Sequence, residues 1–315
     1  MLDHSTALFQ ETNNQSKIKP ETHHLQRSLE LVEKKKFSEL SLSLDAHTQT
    51  MWCFLHPKGP PSFTPPLLRE LNQAHRLIHQ IYDEAHADQP LPIKFYVTVS
   101  ELPGIFNLGG DLNLFLTCIK NRDVLTLRNY AYACVEAVYN SAFGFSVPVV
   151  TICVLEGDAL GGGFEAAMSC NVLIAERGVK MGLPEVLFNS FPGMGAYSFL
   201  ARKLGPVEAE KIILSGRIYT ADDFHAMGIV DVLVAPGEGR EAAQHYVKDN
   251  LRRHPLLCAL NRVKRRVDAM TLSELRDVTD IWVDTALALN PAELRKMDVL
   301  LHAQMRRLQR EGGVD

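Results

Sequence analysis

Two glutamates carry the strongest chemical signal in the sequence. Glu165 follows three consecutive glycines in LEGDALGGGFEAAMSC (155–170), and Glu185 stands 20 residues further on in GLPEV. Two carboxylates facing one pocket can divide acid and base work when their environments split their pKa values, one kept protonated by desolvation and the other ionised. Glycine raises the entropy cost of ordering a chain, so three in a row imply close approach to the backbone by a phosphate, an oxyanion or another helix. A second glycine pair, in NLGGD (107–111), also lies between a strand signal and a helix signal. Two such turns can each aim a backbone N–H at one oxygen, which stabilises a thioester carbonyl as it becomes an enolate or a tetrahedral oxyanion. A helix starting near Gly163 turns its positive dipole end toward the same place.

Other readings of these residues stay open. Gly161, Gly163 and Ala166 formally fit the dinucleotide fingerprint G-x-G-x-x-G/A. There, however, the first glycine ends the strand, whereas EGDAL intervenes here and the following helix is too short for a standard crossover. A phosphate loop fits less well still, because no Lys-Ser/Thr follows the glycines. The plainer alternative is that the glycines only let a helix pack closely on a sheet, with Glu165 a solvated first-turn residue and Glu185 a loop residue after proline.

The surrounding elements must bring the loops together. FSELSLSLD and TMWCFLH read as strands, and the Pro-Pro pairs after them precede a helix over about 66–87 with Leu67, Leu71, Ala74, Ile78, Ile81 and Ala85 on one stripe. IKFYVTVS alternates as a half-buried strand and runs into the NLGGD loop, followed by a helix predicted over 112 to about 140. VPVVTICVL, the glycine loop, a two-turn helix and NVLIAE form a compact β-α-β pattern. YTADDFHAMG carries an N-cap at Thr220, Asp223 three residues on, and a stop at Gly228. From about Gly239 only helices are expected, with marked starts at Thr271 and Asn290-Pro291. Residues 1–22 are polar and aperiodic and read as a loose tail, with the adjacent His23 and His24 as solvated residues. The domain expectation is thus a tail over 1–22, a core over 23–238 and a helical region over 239–315.

Composition narrows the class. The 315 residues are 46% apolar, enough for a proper core, and 37 acidic against 33 basic residues give no nucleic-acid signature. The six cysteines are scattered without a C-x-x-C pair and read as buried free thiols in a reducing compartment, with neither a disulfide frame nor a zinc site. The longest apolar run, 145–155, is interrupted by Pro148 and too short to cross a bilayer, and the first residues lack a secretory pattern. A cytoplasmic protein without metal or cofactor is expected.

EGDALGGGFEAAMSCNVLIAE, MGLPEV and FPGMGAYSFLARKLG, in this order, resemble the enoyl-CoA hydratase/isomerase (crotonase) superfamily from about Trp52 onward. FNLGGDLNLF, MGLPEVLFNSFPGMGAYSF and IWVDTA are further similar to bacterial diffusible-signal-factor synthases, a quorum-sensing branch of that superfamily. LGGD and PGMGAYSFL replace the AGAD-type and PGxGGTQRL-like stretches of ordinary hydratases. The resemblance implies an α/β crotonase fold, with repeated ββα units in two roughly perpendicular sheets and a C-terminal helical region. It implies an oxyanion hole from the N–H groups of Gly110 and Gly162, with Glu165 and Glu185 as acid and base. Gly109, Leu160, Gly161, Leu187 and Met194 are substrate-contact candidates, and Phe164, Phe188 and Phe199 further candidates for an acyl tunnel. The implied activity is dehydration of a 3-hydroxyacyl thioester on acyl carrier protein, then hydrolysis to a free cis-2-unsaturated fatty acid signal. The alternatives are hydration or isomerisation of acyl-CoA, or a catalytically silent binding partner. The implied partners are acyl carrier protein, met by the basic clusters at Arg252, Arg253, Arg262, Lys264, Arg265 and Arg266, the receiver domain of a sensor histidine kinase, and further copies of the chain in a trimer or paired trimers, with Trp282 at a helical interface.

Overall fold

The structure, a computed structural model, describes residues 20–85 and 90–311. The chain begins with α1 (Pro20–Lys34), the hairpin β1 (Leu40–Asp45) and β2 (Thr50–Leu55), and α2 (Pro65–Asp83). Three strand pairs follow, each a long strand continuing into a short one and then a helix. They are β3 (Phe95–Ser100) and β4 (Ile105–Asn107) before α3 (Leu112–Asn121) and α4 (Val124–Ala142); β5 (Val150–Leu155) and β6 (Asp158–Leu160) before α5 (Gly162–Ser169); and β7 (Val172–Glu176) and β8 (Lys180–Gly182) before a 3₁₀ turn at Pro184–Phe188 and α6 (Ala196–Leu204). Then come α7 (Pro206–Ser215), β9 (Ile218–Thr220), α8 (Ala221–Ala226) and β10 (Val232–Val234), and finally α9 (Gly239–Asn250), α10 (His254–Val267), α11 (Leu272–Leu287) and α12 (Pro291–Glu311).

The long strands form a six-stranded sheet ordered β1-β2-β3-β5-β7-β10, and the short ones a four-stranded sheet ordered β4-β6-β8-β9. Because each pair steps from one sheet to the other, the order 3-5-7 in the first is repeated as 4-6-8 in the second. These ββα repeats are the crotonase architecture. β5 is buried along its whole length, as expected of a central parallel strand covered on both faces. Helix α2 starts at a Thr64 cap that accepts from the Leu67 N–H, with Pro65 and Pro66 in the first turn, where a missing N–H costs nothing. Its stripe of Leu67, Leu71, Ile78 and Ile81 is buried, each side chain contributing about 1.5–3 kcal/mol.

Two departures from the sequence reading have physical causes. The helix expected over 112–140 is two helices: Arg122 adopts a left-handed conformation (φ 53°) and closes α3, while the Asp123 carboxylate accepts from Thr126 N–H and opens α4. α1 was not expected; Leu31 and Val32 in its last two turns bury it against the core. It begins at Pro20, so positions 20–22 of the expected tail are helical, and 1–19 lie outside the described residues. Five of the six cysteines are buried and all six are free. Among the described residues no helix is long and apolar enough to cross a membrane.

Candidate active site

The register of the small sheet assembles the site. β4, β6 and β8 are parallel, with Asn107 opposite Ala159, and Ala159 and Leu160 opposite Met181 and Gly182. Their carboxyl ends therefore lie side by side, the end at which open parallel sheets receive ligands. The chain leaving β4 carries Gly109 and Gly110, that leaving β6 carries Gly161 and Gly162, and that leaving β8 carries Glu185. The loops touch: a Cβ on Gly109 would lie 3.1 Å from the Gly162 nitrogen, and one on Gly161 would lie 2.6 Å from Glu185 Oε1.

Each of the three glycines answers to a different neighbour. Gly161 takes φ +53° in the turn and leaves room for the Glu185 carboxyl. A Cβ on Gly162 would meet Met194 Sδ at 2.4 Å, and one on Gly163 would meet the Asn107 carbonyl oxygen at 2.1 Å. Helix α5 therefore lies directly on the end of β4.

Between Leu108 and Asp111, the N–H groups of Leu108, Gly109 and Asp111 donate to Pro61 O (2.7 Å), Asn107 Oδ1 (2.8 Å) and Tyr130 Oη (2.9 Å). Gly110 N–H is left without a protein acceptor among the described residues. Gly162 occupies the first turn of α5, where an N–H has no partner inside the helix. Two backbone N–H groups without a partner among the described residues thus belong to glycines of neighbouring loops that line one cavity. Tyr130 fixes the first of them, since its hydroxyl also donates to Phe63 O at 2.6 Å. Tyr130→Phe is expected to cost about 1–3 kcal/mol in urea denaturation, the scale of leaving buried groups unpaired, and to lower kcat through a looser Gly110.

Glu165 is 1% exposed, and its Oε1 accepts from the N–H groups of Met194 (2.8 Å) and Ala196 (2.9 Å). The PGMGA turn curls around this carboxylate, a role the sequence did not announce. Burial raises the Glu165 pKa while the two N–H donors pull it back down. Glu185 is raised by burial and further by the Glu165 charge, and its Oε2 is buried without a partner. Glu165 is therefore the first of the pair to ionise, and Glu185 the one that keeps a proton.

Glycines 109, 110, 161 and 162 and both glutamates line one cavity of about 320 Å³, together with Leu160, Leu187, Phe188 and Met194. Phe164 and Phe199 do not. Phe164 packs on Phe224 in the core, and Phe199 is buried where α6 packs on the core. The missed walls come from helices: Phe115 on α3 and Tyr130 on α4, and, from far along the chain, Trp282 on α11 and Leu300, Ala303, Gln304 and Arg307 on α12. Trp282 stacks edge-on against Phe115 within this chain. None of the six residues in the basic clusters lines the cavity. They lie at the start of and along α10, and the cation at the cavity, among the described residues, is Arg307. The cavity walls are mainly apolar, suited to an acyl chain, with convergent polar groups at one end.

Known proteins resemble this chain over the same region. The sequence profile described as enoyl-CoA hydratase/isomerase matches residues 83–281. The chain is 32% identical over 193 residues to the peroxisomal fatty acid beta-oxidation multifunctional protein AIM1 of Arabidopsis thaliana, covering 61% of this chain and 26% of that protein. It is 30% identical over 205 residues to a probable mitochondrial enoyl-CoA hydratase 2 of the same plant, covering 64% and 61%. The chain thus spans less than two thirds of either relative. Among solved structures, an enoyl-CoA hydratase/isomerase from Xanthobacter autotrophicus Py2 superposes with a TM-score of 0.69 at 20% identity, over 87% of this chain and 98% of that one. DspI of Pseudomonas aeruginosa superposes at 0.61 with 25% identity, over 87% and 93%.

Proposed function

Because this chain belongs to the enoyl-CoA hydratase/isomerase family, we propose that it adds water to, or removes it from, the C2–C3 bond of an acyl thioester. The observation that carries the reading is one desolvated cavity holding two carboxylates with split proton affinities beside two free backbone N–H groups. In the hydration direction, Glu165 takes a proton from water as its oxygen attacks C3. The π electrons of C2=C3 move into the thioester, and the resulting enolate oxygen is held by Gly110 and Gly162 N–H. Glu185 delivers its proton to C2. Dehydration is the reverse, with Glu185 removing the C2 proton and Glu165 protonating the departing hydroxyl.

The sequence ranks signal synthesis first and hydration second; the relatives favour the second. Signal synthesis stays as the other reading, supported by the LGGD and PGMGAYSFL departures. It requires an acyl-carrier-protein substrate, a cis-2 product and thioester cleavage at the same oxyanion hole, and it brings the receiver-domain partner with it; assembly as trimers or paired trimers goes with either reading. Purified protein supplied with 2-enoyl and 3-hydroxyacyl thioesters, on CoA and on acyl carrier protein, separates the two by mass spectrometry. Interconversion of the thioesters without free acid supports hydration, whereas free cis-2-enoic acid supports the synthase. No turnover of any of the four would sink both.

A further inference from the structure

The buried polar atoms lining the catalytic cavity include two with no partner among the described residues. One is Glu185 Oε2, which the proposed chemistry uses, and the other is Gln304 Oε1, which it does not. Gln304 Nε2 donates to the Leu108 carbonyl at 3.0 Å. That bond fixes the orientation of the amide, because only its NH₂ group can donate to a carbonyl. The amide oxygen of this cavity-wall residue is consequently left buried and without a partner among the described residues, beside the backbone just before Gly110. Three residues along, Arg307 anchors the helix by donating to Asp158 Oδ2 (2.7 Å) and Gly104 O (2.9 Å). A buried acceptor left unpaired costs about 1–3 kcal/mol, so its position points to a ligand with a matching donor.

The donor follows from the geometry of the cavity. The acyl side of a bound thioester is claimed by the two carboxylates. Gln304 instead stands on α12 at the rim, where Leu187 (51%), Ile218 (39%) and the neighbouring Ala303 are exposed. What passes the rim is the arm on the sulfur side. In CoA and in acyl carrier protein alike this arm is pantetheine, whose nearest hydrogen-bond donor to sulfur is an amide N–H. Water and the 3-hydroxyl, the other donors in the reaction, belong between the glutamates.

We infer that Gln304 is a substrate-binding residue whose Oε1 accepts a hydrogen bond from the amide N–H of the pantetheine arm. This rests on the acyl-thioester reading above. It makes α12 part of substrate recognition and gives a role to a polar side chain set between Leu300, Ala303 and Arg307 in the cavity roof.

The test compares two crotonyl thioesters. One is made on N-acetylcysteamine, which keeps the amide N–H; the other is its ester analogue, with oxygen in place of N–H. Wild type should favour the amide by roughly tenfold in kcat/KM, the scale of one hydrogen bond. In Gln304→Met the ratio should fall to about one; it is read within each variant, so a general loss from freeing the Leu108 carbonyl affects both thioesters and cancels. Gln304→Leu serves if the methionine variant does not fold, as judged by thermal melting. A wild-type ratio near one, or a tenfold ratio that survives substitution, overturns the inference. If wild type turns over neither thioester, the hydratase reading fails on its own. The same ratio is then measured by calorimetry with the saturated butyryl pair, and loss of amide preference on substitution still supports the contact.

Discussion

Glu185→Gln is expected to lower kcat by about 10²–10⁴, the usual contribution of a general acid or base, and at the same time to raise thermal stability above neutral pH. The first effect follows from the role proposed for the protonated carboxyl as the donor to C2. The second follows from its surroundings. Burial and the Glu165 charge place the folded-state pKa above the ordinary glutamate value of about 4.3. A group raised in this way contributes its stability below its unfolded value, and that contribution is lost as pH climbs through the folded one. Wild type therefore weakens more steeply across the neutral range than the glutamine variant, in which Glu165 is the one carboxyl of the pair left to ionise. The midpoints should coincide near pH 4 and diverge by about 2 °C or more near pH 8. Near-wild-type turnover would remove Glu185 from the chemistry, and midpoints equally spaced at every pH would show that its proton is not held by burial.

The second large effect sets two neighbours against each other. Gly163→Ala places a methyl group 2.1 Å from the Asn107 carbonyl oxygen, which belongs to the backbone of β4 and cannot move without breaking the small-sheet register. The loss should exceed the ~1–3 kcal/mol typical of overpacking, leaving little soluble protein. Gly162→Ala meets only Met194 Sδ at 2.4 Å, the far end of an adaptable side chain. It should fold with a midpoint near wild type and lose kcat/KM, since the displaced methionine shares the cavity with the substrate. Equal folding yields for the two would contradict the close packing of α5 on β4.

Much of the site is local in sequence and was legible for that reason. The glycine loops, Glu165, Glu185 and the strands before them obey short-range rules of turn, cap and alternation, and β6 and β8 follow their long strands after a few residues. Walls supplied from elsewhere carried no such sign. Phe115, Trp282 and Gln304 look like ordinary members of amphipathic helices, and only tertiary packing turns them inward. The break at Arg122-Asp123 was hidden because an aspartate reads as a helical surface residue until its carboxylate is seen capping Thr126. The basic run on α10 misled in the opposite direction. Its charge was visible, but distance from the cavity is a property of the fold.

The roof of the cavity also sets an order of events during synthesis. Loops, carboxylates and the PGMGA turn all lie between residues 107 and 196, whereas Gln304 meets Leu108 across 196 positions of chain. The chain leaves the ribosome amino-terminal end first, so residues 107–196 emerge well before α12. The catalytic groups can therefore be in place while one wall is still missing, an apolar cleft open to solvent and to chaperones. Helix α12 is the element that ends this exposure, so activity and protection from aggregation should arrive together, late.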